Sequence, residues 1–139
     1  MLAIAMDIAY PTFFAASWIV AGQWDPTKVA PMAKKKLWVT VAEGDAEAYP
    51  LENKMIPVLE KGGATVSRAV WNGKAGVSAL DAVARKQAAK GTSLNYSVFT
   101  KGTVEPAGAT VNNLNEHLCT WQVAYTIDAI RDWLYSQHA

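Results

Sequence analysis

The sequence predicts an α/β domain, a mostly parallel three-layer sheet with helices on both faces. Helix-like and strand-like segments alternate along the chain, the order that parallel strands joined by crossover helices require. Two of the strand-like segments, Ala15 to Ala21 and Leu37 to Ala42, are apolar on both faces, as strands covered on two sides are. Of the 139 residues 51% are apolar and 18% charged, so the chain builds a core and disorder is excluded as its dominant state. No repeat, low-complexity tract or linker divides residues 1–139, and one domain suffices.

Met1 to Tyr10, rich in Ala, Met, Leu and Ile, reads as a short, largely buried helix stopped by Pro11. No cap or turn signal precedes it, and the chain starts as if cut. The strand Ala15 to Ala21 ends in Gly22. Lys34, Lys35 and Lys36 form a solvated lead-in to the strand Leu37 to Ala42; without a Gly-rich loop they make a poor anion site. Leu51 to Lys61 is a helix closed by Gly62 and Gly63, with Pro57 expected to kink it or shift its start. Thr65 to Trp71 is a strand and Asn72-Gly73 a turn. Ala79 to Lys90 is a helix, with Ser78 and Asp81 read as its capping pair, and Leu94 to Thr100 is a strand. A loop rich in Gly, Pro and Asn then runs to Glu116. The last element is expected to be one long helix, Cys119 to Ser136, on the spacing of Val123, Ile127, Ile130 and Leu134.

Composition excludes several functions. Thirteen Lys+Arg against twelve Asp+Glu leave a formal charge of +1, too little field to hold nucleic acid. The single cysteine, Cys119, forms no intrachain disulfide and belongs to no zinc or redox motif, so the compartment stays open. The first twenty-odd residues lack a basic lead, and Asp7 and Pro11 interrupt them, so neither a signal peptide nor a membrane span is expected and the chain reads as soluble. No cofactor is called for. A metal on Glu116 and His117 is disfavoured because adjacent side chains do not converge on one ion and no third ligand is evident.

Chemistry in such folds gathers at the carboxyl ends of the strands. Asp45 follows the strand Leu37 to Ala42 in Glu43-Gly44-Asp45, where it is either a reactive acid or a turn or cap residue for the next helix. His117, just ahead of the terminal helix, is either a base or a satisfied surface histidine. Ser17 lies inside a strand, Ser78 caps a helix, and Cys119 is too close to His117 for in-line attack and reads as a buried thiol. Among six tryptophans, Trp24 after a strand end and Trp121 one helical turn past His117 are the candidates for lining a substrate cleft. Trp18, Trp71 and Trp133 read as core.

An acid at a strand end followed by a histidine before the last helix is the second half of the order Ser, Asp/Glu, His. With Tyr10 to Ala16, Val20 to Asp25, Glu43 to Asp45, Ala48-Tyr49-Pro50, Glu116-His117, Thr120-Trp121, Ala124-Tyr125 and Asp132 to Leu134, the chain resembles the C-terminal part of an alpha/beta-hydrolase fold. The resemblance is to the esterase and prolyl-oligopeptidase-like branch, which includes secreted polyester and feruloyl esterases. It spans almost the whole chain and implies Asp45 as triad acid and His117 as general base, acting on a small-molecule ester or peptide substrate. The family's serine, in a G-x-S-x-G turn, would fall just before Met1, so the 139 residues alone are expected to be inactive. Asn72 to Thr100 departs from the simplest family members by adding a helix and a strand. A non-catalytic binding or assembly module on the same scaffold is the alternative. Because the resemblance makes Ala15 to Ala21 the neighbour of a strand this chain lacks, a homo-oligomer burying Ala15 to Ala21 and Met1 to Tyr10 is expected.

Overall fold

A computed structural model describes residues 1–138. Its elements are α1 (Leu2–Ala9), β1 (Ala16–Val20), β2 (Lys36–Ala42), α2 (Ala48–Lys61), β3 (Val66–Trp71), α3 (Val77–Ala88), β4 (Leu94–Phe99), α4 (Asn113–Ala124) and α5 (Asp128–Ser136), with two short 3₁₀ turns between β1 and β2. The four strands are all parallel, in the order β1-β2-β4-β3. β4 therefore returns between β2 and β3, and the carboxyl ends of β1, β2 and β4 lie side by side. No helix among the described residues is long and apolar enough to cross a membrane.

Alternation along β2 builds the two cores. Leu37, Val39 and Val41 face one side, where Ile4 of α1 and Met55, Ile56 and Leu59 of α2 pack. Trp38 and Ala42 face the other, with Leu80 and Ala84 of α3, Cys119 and Ala124 of α4 and Ile130 of α5. Burying one aliphatic side chain of this kind is worth about 1.5–3 kcal/mol, so these two layers hold the sheet. β2 and β4 are buried almost throughout, as strands covered on both faces should be. β1 is not: only Ile19 is buried, because among the described residues β1 is an edge strand that pairs with β2 alone.

The structure departs from the sequence reading in several places. The last helix is two: α4 stops at Ala124 and α5 starts at Asp128, with Ile127 buried in the break and the Thr126 hydroxyl donating to Val123 O at 2.7 Å. Ile127 keeps its place in the apolar stripe, which is why the spacing looked continuous. Asp81 does not cap α3 with Ser78; it reaches across to accept the α5 amide of Ala129 at 2.9 Å, and the residue ahead of α3 is Gly76. Lys35 is not solvated. Its Nζ is buried 3.3 Å from Asp7 and donates to Pro11 O and Phe14 O, pinning the turn between α1 and β1. α2 begins at Ala48, earlier than the expected Leu51, and runs through Pro57.

The outer edge of β1 is unpaired among the described residues, and around it Leu2, Phe13 and Phe14 are exposed. A cavity of about 560 Å³ between α1 and β1 is lined by Leu2, Met6, Phe14, Trp18 and Leu134. Association through this edge and α1 is expected. Light scattering should find more than a monomer at tens of micromolar, and Ala16→Pro, at a strand position whose amide faces away from β2, should shift it toward monomer.

Candidate active site

Asp45 follows β2 by three residues. Its backbone amide donates to Ala42 O at 3.1 Å, which folds the chain back at the end of the strand. The side chain is wholly buried, with each oxygen engaged. Oδ1 accepts the amides of Glu47 at 3.1 Å and Ala48 at 2.8 Å, capping the start of α2. Oδ2 faces His117 Nδ1 at 2.6 Å. Turn residue and acid partner are therefore one residue doing both.

His117 lies on the first turns of α4 rather than on a loop before it. Asn112 caps that helix by accepting the Asn115 amide at 2.9 Å, and Asn115 Nδ2 in turn donates to Thr110 O at 2.7 Å. A carboxylate only accepts, so Nδ1 carries the proton that faces Asp45, and in the neutral imidazole the lone pair is on Nε2. Among the described residues Nε2 makes no hydrogen bond, and the side chain is 22% exposed. Trp121, one turn on, stands edge-to-face with the imidazole at 5.0 Å and donates its Nε1 to Val20 O at 2.9 Å, tying α4 to the end of β1.

The acid turn is latched to the histidine's side of the molecule at further points. Asn113 Oδ1 accepts the Ala46 amide at 2.7 Å, and Glu43 Oε2 accepts that of Lys101 at 3.1 Å. Glu116 Oε2 accepts the Gly44 amide at 3.2 Å and Oε1 that of Gly102 at 2.5 Å. Asn113 and Glu116 were not singled out as site residues from the sequence; the run Asn112, Asn113, Asn115, Glu116 ahead of His117 is the signal that carried them.

Beneath the turn, Glu52 of α2 is fully buried, and its Oε1 accepts the Gly22 amide at 2.8 Å. Ala21, at φ 48°, swings the chain out of β1 toward that contact. Burial pushes the Glu52 carboxyl well above the ordinary range; the Gly22 amide opposes this and the charge of Asp45 adds to it.

Of the expected site residues, the structure brings Asp45, His117 and Trp121 together. Trp24 packs instead against the α1–α2 core. Ser17 Oγ is committed to Asp7 at 2.8 Å, and burial, then Glu105 and Glu116, push the Cys119 thiol up, which disfavours the thiolate a nucleophile needs. Among the described residues no group of three or more His, Cys, Asp or Glu is placed to hold a metal.

No protein-family model and no curated protein sequence matches the chain. Among solved structures the chain is similar to one described as the crystal structure of a thermostable esterase, with a TM-score of 0.65 at 19% identity. The match covers 97% of this chain and 27% of that one. The fold is thus alpha/beta-hydrolase-like, and the chain spans just over a quarter of the esterase it matches.

Two measurements bear on the site's energetics. Asp45→Ala leaves the amides of Glu47 and Ala48 and the imidazole without their acceptor and should cost about 2–4 kcal/mol in denaturant unfolding. Glu52 binds its proton more tightly folded than unfolded, so its contribution to stability is full below about pH 4.3 and is lost as pH rises through the higher folded value. Glu52→Gln should therefore raise Tm at pH 8 and flatten the decline in Tm between pH 4 and 8; an unchanged slope would refute the assignment.

Proposed function

We propose that this chain supplies the acid, Asp45, and the general base, His117, of a serine hydrolase that cleaves an ester or peptide bond by acyl transfer, the nucleophilic serine lying outside these residues. The observation that carries the reading is the 2.6 Å contact from Asp45 Oδ2 to His117 Nδ1, made at the carboxyl ends of parallel strands by residues 72 positions apart. The esterase fold match supports an ester as the substrate class.

In this reading Nε2 takes the proton of the serine hydroxyl as its oxygen attacks the substrate carbonyl carbon. The imidazolium so formed is stabilised by the buried Asp45 carboxylate, and its Nε2 proton passes to the departing alkoxide or amine. Water then enters by the same route, giving its proton to Nε2 as it attacks the acyl-enzyme, and the serine recovers that proton when the acid leaves. Trp121 holds the imidazole on its edge and offers the apolar wall for the substrate's acyl or leaving group.

An assembly module without chemistry is the second reading. The unpaired edge of β1 and the exposed Leu2, Phe13 and Phe14 favour it, since such a surface suits a partner as well as a missing strand. The open reading frame around the coding sequence separates the two: a G-x-S-x-G following an apolar strand is expected immediately upstream. In the polypeptide that joins these residues to that serine, His117→Ala and Asp45→Asn should each lower kcat for an activated ester by roughly four orders of magnitude. Undiminished hydrolysis by His117→Ala would place the base elsewhere.

A further inference from the structure

The carboxyl of Glu116 packs against the turn that carries Asp45. A Cβ on Gly44 would sit 2.3 Å from Glu116 Cδ and 2.6 Å from its Cγ, so residue 44 has to be glycine because Glu116 fills the space a side chain would need. From there Glu116 accepts the Gly44 amide with one oxygen and the Gly102 amide with the other. Glu116 has no exposed surface, and its own carbonyl accepts the Thr120 hydroxyl at 2.5 Å. One side chain thus joins the residue before the acid, the loop after β4 and the helical turn before the histidine.

We infer that Glu116 is a positioning residue for the Asp45–His117 pair, fixing the separation of the two by clamping Gly44 and Gly102 to the turn of α4 that bears the imidazole. The inference rests on reading that pair as acid and base. Asp45 and His117 sit on separate elements; Asn113 to Ala46 also joins the two, at the exposed rim, whereas Glu43 to Lys101 ties the acid turn only to the loop after β4. A displacement of about 1 Å between reacting groups costs about a hundredfold in rate, so a buried link between these two elements matters to chemistry more than to folding. The environment of Glu116 is expensive. Burial raises its carboxyl above the ordinary range, the facing carboxyl of Glu105 adds to this, and the Gly102 and Gly44 amides only partly offset it. Glu105 is itself buried, with neither oxygen hydrogen-bonded among the described residues. A carboxyl kept in such surroundings violates the rule for a stability-optimised interior, as groups retained for a site do.

The test is the Nδ1 proton of His117, read by NMR in the 139-residue chain. In the unsubstituted protein it should resonate far downfield and exchange slowly with solvent, and Asp45→Asn should abolish it. Glu116→Gln, whose amide cannot accept from both glycines, should make it exchange about tenfold faster, as expected when a charge-assisted hydrogen bond of the clamp is lost. Leu94→Ala, which lowers stability in the other core layer at the amino end of β4, should leave the resonance in place, so general destabilisation is separated from positioning. A folded Glu116→Gln protein with an unaltered resonance overturns the inference while leaving the pair intact. A resonance indifferent to Asp45→Asn overturns the pair itself. If Glu116→Gln does not fold, the unsubstituted protein decides: the Gly44 and Gly102 amides should share the protection of the imidazole proton, and free exchange at both amides beside a protected imidazole overturns the clamp.

Discussion

A buried carboxylate with both oxygens committed is the constraint on which this end of the molecule depends. Asp45 is removed from water entirely, which is tolerable only if each oxygen has strong partners. Two amides at the start of α2 hold one oxygen and an imidazole holds the other. The first set makes α2 begin where it does and so places Met55, Ile56 and Leu59 against β2. The second draws α4 down over the ends of β1 and β2. Helix start, sheet cover and histidine orientation follow from one side chain.

The strand order makes that side chain reachable. With β4 returning between β2 and β3, the loop leaving β4 starts next to the acid turn, and the Glu43 amide donates to Phe99 O at 2.9 Å to seal the two strand ends together. The chain then has only to descend from Lys101 to Asn112 and start a helix to bring residue 117 over residue 45. β3 lies beyond β4 at the far edge of the sheet.

Where physics is local or periodic, the sequence was legible. Both-face apolar runs located β1 and β2, Asn72-Gly73 ended β3, and a glycine pair closed α2. Asp45 and His117 could be paired from their order along the chain, one after a strand and the other ahead of the last helical segment, and the two are in contact. What escaped depends on contacts between distant residues. Lys35 is indistinguishable from its neighbours in a lysine run until Asp7 is found beside it. Nothing near Gly44 in the chain shows that the space beside it is taken by a side chain 72 positions away. The apolar stripe from Val123 to Leu134 looked unbroken because a helix can stop and restart at Ile127 while keeping every buried residue on the same side.

Placing the histidine inside a helix rather than on a free loop changes what holds it. A loop histidine depends on its carboxylate alone for orientation. On α4 the ring is fixed by backbone geometry, by Asp45 at Nδ1 and by Trp121 at its edge, and Trp121 is in turn fastened to the end of β1. Rotation about the side-chain torsions would break the first contact or collide with the second, so Nε2 is held facing one direction. The asparagines at 112, 113 and 115 then have a clear purpose: they start the helix early enough for residue 117 to be helical and tie that start to the acid turn. Orientation of the imidazole has been transferred from loop conformation to secondary structure, which is stiffer and less dependent on whatever packs around the outer edge of β1.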